Sequence, residues 1–436
     1  HDLPSRVGLD SWNWLRTDEQ DGMLDLLDRI EQEVSGDVQV YQNLIDQAVK
    51  KEKYSQAEAY KRVLRTLRKR RLISFFASRG LLPKYGFPTD VVSLRTEHIP
   101  SSRSRKIELQ RDLRIAIGEY APGSEVVAAG RVWTGGGLQT LPNKDWPKYQ
   151  YAVCQECNRF YQDPDEVPRS CGSCGEPLRS YRNFGTYVVP EFGFVAASTS
   201  RKTGQSSPKR GYASRVYFDD YEGTYPDLEP IDELCAGQTI VQARHSRFGR
   251  LVVVNNGPNG NGFRICHQCG YGEPVPHARD DGTREMEHEI PRTRDDCAGT
   301  LYQYHLGHSF LTDVTEFRID DPEISVTRSV LYALLEGAAQ ALGIRRSDID
   351  GTLFWTGSTG EPSLVLFDNV PGGAGHARRI AENASAVFGK ALKIVSSECC
   401  GPETSCYECL RTYRNQPFHE NLSRGEAQST FDVIVG

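Results

Sequence analysis

No stretch of this 436-residue sequence approaches the roughly 20 consecutive apolar residues that a bilayer-crossing helix needs. The opening, HDLPSRVGLD, also lacks the basic-then-apolar layout of a secretory leader. Because the chain begins on His1, it reads as the C-terminal portion of something longer or as a chain whose start was trimmed. A general excess of positive charge is missing too. With 52 Lys+Arg against 58 Asp+Glu, the net charge is −6, which excludes a globally basic nucleic-acid binder and confines any such contact to local patches. There is no GxxxxGK[ST] and no DEAH box, so the chain cannot hydrolyse ATP by that route. There is no HExxH, and no H-x-E paired with P-C-x-x-C, which removes the zinc protease and zinc deaminase chemistries.

Cysteine is what the chain has, and it is clustered. Eleven of the twelve cysteines fall in three groups, with Cys235 alone. Disulfide scaffolds are usually small and secreted, whereas clustered CxxC pairs in a long, cytosolic-looking chain point to zinc and a reducing, cytoplasmic setting. The first group is CQEC, thirteen residues, then CGSCG: Cys154, Cys157, Cys171 and Cys174. Each CxxC makes a tight knuckle whose amides can point at the sulfurs, and the glycine after the second pair suits a positive φ. The second group is Cys266 and Cys269 in CHQCGYG, with Cys297 as third ligand and His288, nine positions before it, as fourth. His277, His305 and His308 are the alternatives, although HLGH equally fits two histidines satisfied in a core. The third group places Cys399, Cys400, Cys406 and Cys409 within eleven residues, with His419 able to replace one of them. Thiolate-rich closed sites are structural, whereas a catalytic zinc keeps an open position. About three structural zinc ions are therefore expected, stapling β-rich segments too turn-heavy to build deep cores.

Periodicity divides the rest. Residues 1–82 read as a helical segment, 83–145 as a β-rich connector, 146–320 as a β-rich region with two zinc sites built on short strands, and 321–436 as an α/β C-terminal zinc-binding domain. The fold class is thus α+β. Residues 326–342 form the clearest helix. Two strands follow, then the glycine loop NVPGGAGH and a helix over ARRIAENASAVFGKAL. In KRVLRTLRKRR, seven of eleven residues are basic. At helical spacing Tyr60, Val63, Leu64 and Leu67 share one face, and Arg65, Arg68 and Lys69 lie beside it, either as a solvated face or as a phosphate-contacting stripe. His376, Arg378 and Arg379 follow the glycine loop, either as an anion contact or beside a tight structural turn. Arg411, Tyr413, Arg414 and His419 follow the last cysteines, where arginines can meet phosphates and a ring can stack on an unpaired base, or the same surface can dock on another domain. Asp313, Glu316, Asp320 and Asp321 would have to pair for a nuclease, yet TDVTEFRIDDPE reads more simply as a strand entering a turn.

The segments LISFFASRGLLPKYGFPTDVVSL, LQRDLRIAIGEYAPGSEVV, GFRICHQCG, LGHSFLTDV, LFDNVPGGAGHARRI and CYECLRTYRNQPFHENLSR occur in this order. As a set, over roughly residues 72 to 427, they resemble the C-terminal region of very large bacterial superfamily-two DNA helicases. That region ends in an MrfA-type zinc-binding domain and occurs in repair helicases and in phage-defence helicases of the Druantia and DISARM kind. The resemblance implies a DNA-engaging accessory module, with zinc on the terminal cysteine cluster. It departs from the family in the adjacency of Cys399 and Cys400, where a spacer is expected. The implied partners are single-stranded or forked DNA, helicase motor domains upstream or on a partner chain, and other defence or repair subunits, with no membrane. ATP and Mg would act only through that motor. The alternative is a stand-alone zinc scaffold that docks a separate helicase.

Overall fold

A computed structural model describes residues 23–54, 57–58, 60–61, 64–65 and 90–435, apart from 100–103, 105–106, 142–143, 179–183, 205–206, 208–211, 213, 224, 236–238, 259, 276–286, 322–323, 356–361 and 371. Two units divide the chain, His1–Thr89 and Asp90–Gly436. In the first, helix α1 spans Met23–Lys50. Its Tyr41 and Ile45, one turn apart, are buried with Leu64. Arg65, beside Leu64, is exposed; Arg68 and Lys69 lie outside the described residues.

The second unit carries two large sheets and a helical layer. Strands β1 (Val91–Arg95) and β2 (Leu109–Asp112) lead into helix α2 (Leu113–Glu119), and β3 (Glu125–Ala128) and β4 (Arg131–Leu138) follow. The Asp112 carboxylate caps α2 by accepting from the Arg114 amide at 2.9 Å. Next come β5 (Lys148–Val153), β6 (Phe160–Asp163), β7 (Phe184–Val188), β8 (Phe194–Lys202), β9 (Arg215–Tyr221), β10 (Glu229–Pro230) and β11 (Ile240–Asn255). The short strands β12 (Phe263–Cys266), β13 (Gly272–Pro274), β14 (His288–Glu289) and β15 (Asp296–Cys297) precede β16 (Leu301–Asp320). The C-terminal part holds α3 (Arg328–Leu342), β17 (Ile349–Phe354), β18 (Ser363–Asp368), α4 (His376–Glu382), α5 (Ala384–Val395) and α6 (Arg424–Val435). None of the described helices is long and apolar enough to cross a membrane.

One sheet has the order β2-β1-β8-β4-β3, and the other is organised around β16. This strand runs for 20 residues where shorter strands are expected from the sequence. It changes partners along its length. β12 pairs with its first residues, β7 with His305 and Leu306, β11 with nearly all of it, and β18 with Val314 to Phe317. Both faces of it are covered from Leu306 onward. Leu306, Phe310 and Val314 join the core shared with the five-stranded sheet, while Phe317 and Ile319 join the core under α3, α5 and α6. The interior also holds Thr312, Asp313, Thr315 and Glu316 from the same strand, each nearly inaccessible to solvent. These polar residues break the apolar run that would have announced a long buried strand.

The cores are deep, which overturns the expectation that turn-heavy segments leave the chain loosely packed. Helix α3 buries every residue from Ser329 to Leu335. It approaches α5 closely through Gly337, where a Cβ would stand 2.7 Å from the Val387 carbonyl oxygen. The helix expected over ARRIAENASAVFGKAL is two helices, broken at Asn383, which leaves helical geometry at φ −124° and whose side chain joins its backbone amide in donating to the Arg379 carbonyl, at 2.8 and 3.1 Å. Gly337→Ala should cost about 1–3 kcal/mol by forcing α3 and α5 apart. Gly389→Ala, at a helix-interior glycine with nothing within 4 Å, should stabilise by about 0.5–1 kcal/mol. Thermal unfolding of the two variants checks both signs.

Candidate metal centres and the glycine loop

The hairpin β5–β6 presents Cys154 and Cys157 at its tip. In that turn the Cys154 amide donates to the Arg159 carbonyl at 2.9 Å and the Asn158 amide to the Cys154 carbonyl at 3.0 Å. The Cys171–Cys174 turn repeats the pattern, with Cys171 donating to Glu176 at 2.8 Å and Gly175 to Cys171 at 2.9 Å. Both turns close on a left-handed residue, Asn158 at φ 58° and Gly175 at φ 79°, as expected for the glycine. Across the pair, the Cys154–Cys174, Cys157–Cys171 and Cys157–Cys174 sulfurs lie 3.4, 3.5 and 3.8 Å apart. A disulfide needs about 2.05 Å, whereas zinc–sulfur bonds of about 2.3 Å in a tetrahedron give edges of about 3.8 Å. The spacing therefore fits a shared cation. Tyr161 accepts the Gly172 amide at 2.8 Å and lies 3.2 Å from the Cys171 sulfur, fixing that ligand from outside the cluster. Burial pushes Cys171 up, but hydrogen bonds from Tyr161 and from the Cys174 and Ser173 amides outweigh it and bring the thiol down to about 6.

The second centre gathers Cys266, Cys269, His288 and Cys297, whose ligand atoms lie within 4.8 Å of one another. Cys266 and Cys297 are 3.9 Å apart, and Cys269 Sγ is 3.3 Å from His288 Nε2. One half is an ordinary knuckle, closed by Gly270 at φ 79°. The other half keeps the same turn without its cysteines. Ile290 donates to Asp295 and Arg294 to Ile290, each at 2.9 Å, and Arg294 takes φ 64°. The ligands have moved out to the directly paired residues His288 and Cys297 on β14 and β15. His305 is hydrogen-bonded to Tyr151 and its pKa is lowered to about 4 by burial. His308 is buried 3.5 Å from Asp90. HLGH is thus a pair of core histidines, and His277 lies outside the described residues.

In the third centre Cys400 lies 4.0 Å from Cys399 and 3.8 Å from Cys409, and Cys406 lies 3.8 Å from Cys409. The Cys406 amide donates to the Cys409 sulfur at 3.2 Å. His419 is engaged elsewhere, with Nε2 3.0 Å from the Thr412 carbonyl and 2.9 Å from Asn415 Oδ1. A buried residue that carried no signal in the sequence, Arg424, donates to the Val395 and Cys400 carbonyls and ties α6 to this loop.

The glycine loop is filled by the chain's own carboxylates. Asp368 accepts from the amides of Ala374, His376 and Ala377, and Asp313 accepts from Gly375 at 3.1 Å. Gly373 must be glycine, because a Cβ would stand 2.3 Å from an Asp313 oxygen. Burial raises the Asp368 pKa, and the nearby Asp313 charge adds to it, against the three amides. Arg378 is paired with Glu382 at 2.8 Å and Arg379 donates to the Leu342 carbonyl at 3.0 Å, both from exposed positions; His376 is half-buried. Arg411 is half-buried and donates to Ser405 and His419. Arg414 is exposed and reaches the Ser347 carbonyl at 3.3 Å. The acids that a nuclease would pair are dispersed. Glu316 is held by Arg244 and Tyr221, Asp321 by Thr239, and Asp320 is exposed.

Residues 330–410, which include β17, β18, α4, α5 and the third centre, match the family model of the MrfA Zn-binding domain. The chain carries an MrfA-type zinc-binding domain. It is also homologous to the Druantia protein DruE of Escherichia coli (strain UMEA 4076-1), at 26% identity over 401 residues, covering 81% of this chain and 21% of that protein. The chain therefore spans about a fifth of that relative's length. The helicase MrfA bound to DNA is 11% identical with a TM-score of 0.33, covering 75% of this chain and 32% of MrfA. MrfA without DNA gives 10% identity and a TM-score of 0.32 over 77% and 34% of the two chains, a likeness too loose to position any residue. His288→Ala should remove the metal of the second centre and leave the others, and His288→Cys should retain it. His305→Ala should leave metal content unchanged. Zinc per chain, measured after gel filtration, checks all three.

Proposed function

We propose that this chain is a zinc-stapled, DNA-engaging module of a large ATP-dependent DNA helicase or translocase acting in the cytoplasm. The observation that carries the reading is the MrfA-type domain at residues 330–410. That domain takes its name from a helicase whose solved structure holds DNA. The similarity to the Druantia protein supports a setting in antiphage defence or DNA repair. The 436 residues contain no ATPase motif, so the motor would lie elsewhere on the polypeptide or on a partner, and this module would grip or guide the strand.

Zinc would be held by Cys154, Cys157, Cys171 and Cys174, by Cys266, Cys269, His288 and Cys297, and by Cys399, Cys400, Cys406 and Cys409. When bound, the ion supplies charge neutralisation and a rigid cross-link, and no chemistry on a substrate. The DNA contacts fall on Arg65, Arg68 and Lys69, on His376, Arg378 and Arg379, and on Arg411 and Arg414. Exposure supports Arg65, Arg378, Arg379 and Arg414 most directly. Arg411, with its donors turned inward, would hold the surface that Arg414 presents.

Anisotropy of labelled single-stranded, forked and duplex DNA with the purified chain tests the reading. Tighter binding to single-stranded or forked DNA is expected, with log K falling linearly in log salt. An absence of DNA binding at about 50 mM salt, together with capture of a separate helicase subunit, would replace it with the stand-alone scaffold.

A further inference from the structure

Three arginines far apart in sequence converge on the turn before β17. Arg114 on α2 donates through both terminal nitrogens to Asn369, one to the side-chain oxygen and one to the carbonyl. It lies 5.3 Å from the centre of the Phe310 ring. Asn369 in turn donates to the Ser347 carbonyl at 2.8 Å. Arg414, from the segment after the third metal centre, donates to that same carbonyl at 3.3 Å. Arg346, next to Ser347, donates to the Ile349 carbonyl at 2.9 Å.

Carbonyl oxygens and an amide accept the hydrogen bonds of these guanidiniums. No carboxylate among the described residues comes within ion-pair distance of Arg114 or Arg414, while Arg346 makes one long ion pair, with Glu336 at 4.0 Å. The other acids close by act on the arginines through their charge alone while they accept backbone amides, Asp112 at the start of α2 and Asp350 from Gly351 at 2.9 Å. Burial, and then the Arg414 charge, hold Arg114 and Arg346 below the ordinary arginine range, while Asp112 and Asp350 act the other way on Arg114, and Asp350 and Glu336 on Arg346. Like charges gathered on fixed, partly desolvated stems are costly unless an anion completes them. A guanidinium matches a phosphate oxygen pair in geometry as well as charge.

We propose that Arg114, Arg346 and Arg414 form a phosphate cradle that takes a phosphodiester of a single nucleic-acid strand. The proposal rests on the DNA-engaging reading and adds where on the module the strand is held. Arg414 stands five positions after Cys409, so the third metal centre fixes one arm of the cradle, while α2 and the turn at Ser347 fix the others.

The test uses the whole chain, labelled single-stranded DNA and a salt titration. Arg414→Ala should weaken binding about tenfold at low salt and reduce the magnitude of the salt slope by about 0.7, the share of one single-strand phosphate contact. Arg414→Glu should weaken binding further. Arg346→Ala should repeat the effect of Arg414→Ala, and the double variant should lose about twice the slope. Arg378→Ala, outside the cradle, should leave the effect of Arg414→Ala unchanged when combined with it. Thermal unfolding controls for folding, and Arg414 is exposed. DNA binding that survives Arg414→Glu with an unchanged slope overturns the cradle and leaves the DNA-engaging reading standing. No DNA binding by the unsubstituted chain overturns both. Phosphorus-NMR broadening of inorganic phosphate that depends on Arg414, with DNA binding that does not, would assign the arginines to a free anion and also overturn the proposal.

Discussion

Four sulfurs packed at van der Waals distance in a partly desolvated turn are unstable by themselves. As thiolates they repel one another, and as thiols they are weak hydrogen-bonding partners that leave knuckle amides poorly satisfied. A divalent cation removes both difficulties at once, because it neutralises the charge and lets the amides point at polarised sulfur. The spacing in all three clusters, longer than a disulfide and with every ligand atom within 4.8 Å of the others, fits a shared ion. The loops at residues 154–174 and 266–297 depend on this most, because their own buried clusters are small.

The dependence is unequal. The first cluster forms its own small core with Ala152, Val167 and Leu178, and the second does so with Leu301. Those ribbons have little apolar area beyond their sulfurs. The third cluster is different. Cys409 belongs to the same core as α3, α5 and α6, so it joins a knuckle to a body that is already well packed. The long strand β16 then ties the parts together. It pairs with the second ribbon at its start and with β18 of the MrfA-type domain further on, and the acids along it hold the glycine loop and Arg244. The result is a rigid unit with zinc at its outlying loops and ordinary hydrophobic packing at its centre.

Much of this was legible in the sequence. The CxxC pairs, the left-handed glycines after them, the helix at 326–342 and the strand–loop–helix around PGGAGH follow from local spacing and turn chemistry. His288 was legible as a ligand only by distance along the chain; the reason it works is a knuckle-like turn at Ile290–Asp295 that contains no cysteine and pairs His288 with Cys297, which no residue pattern displays. The length of β16 was hidden because its buried acids and threonines look like surface residues until their partners are known. The glycine loop looked open to an anion because Asp313 lies more than fifty positions away from it. The gathering of Arg114, Arg346 and Arg414 is wholly tertiary, and three solitary arginines give no signal of it.

The most direct measurement is elemental analysis of the purified, DNA-free chain together with titration of its accessible thiols before and after chelation. The account predicts one zinc for each of the three clusters, with the ligand thiols becoming reactive only as metal is withdrawn and the two ribbons losing amide-exchange protection before the helical core does. A fully folded chain containing no metal, or one whose clustered cysteines are joined as disulfides, would contradict it.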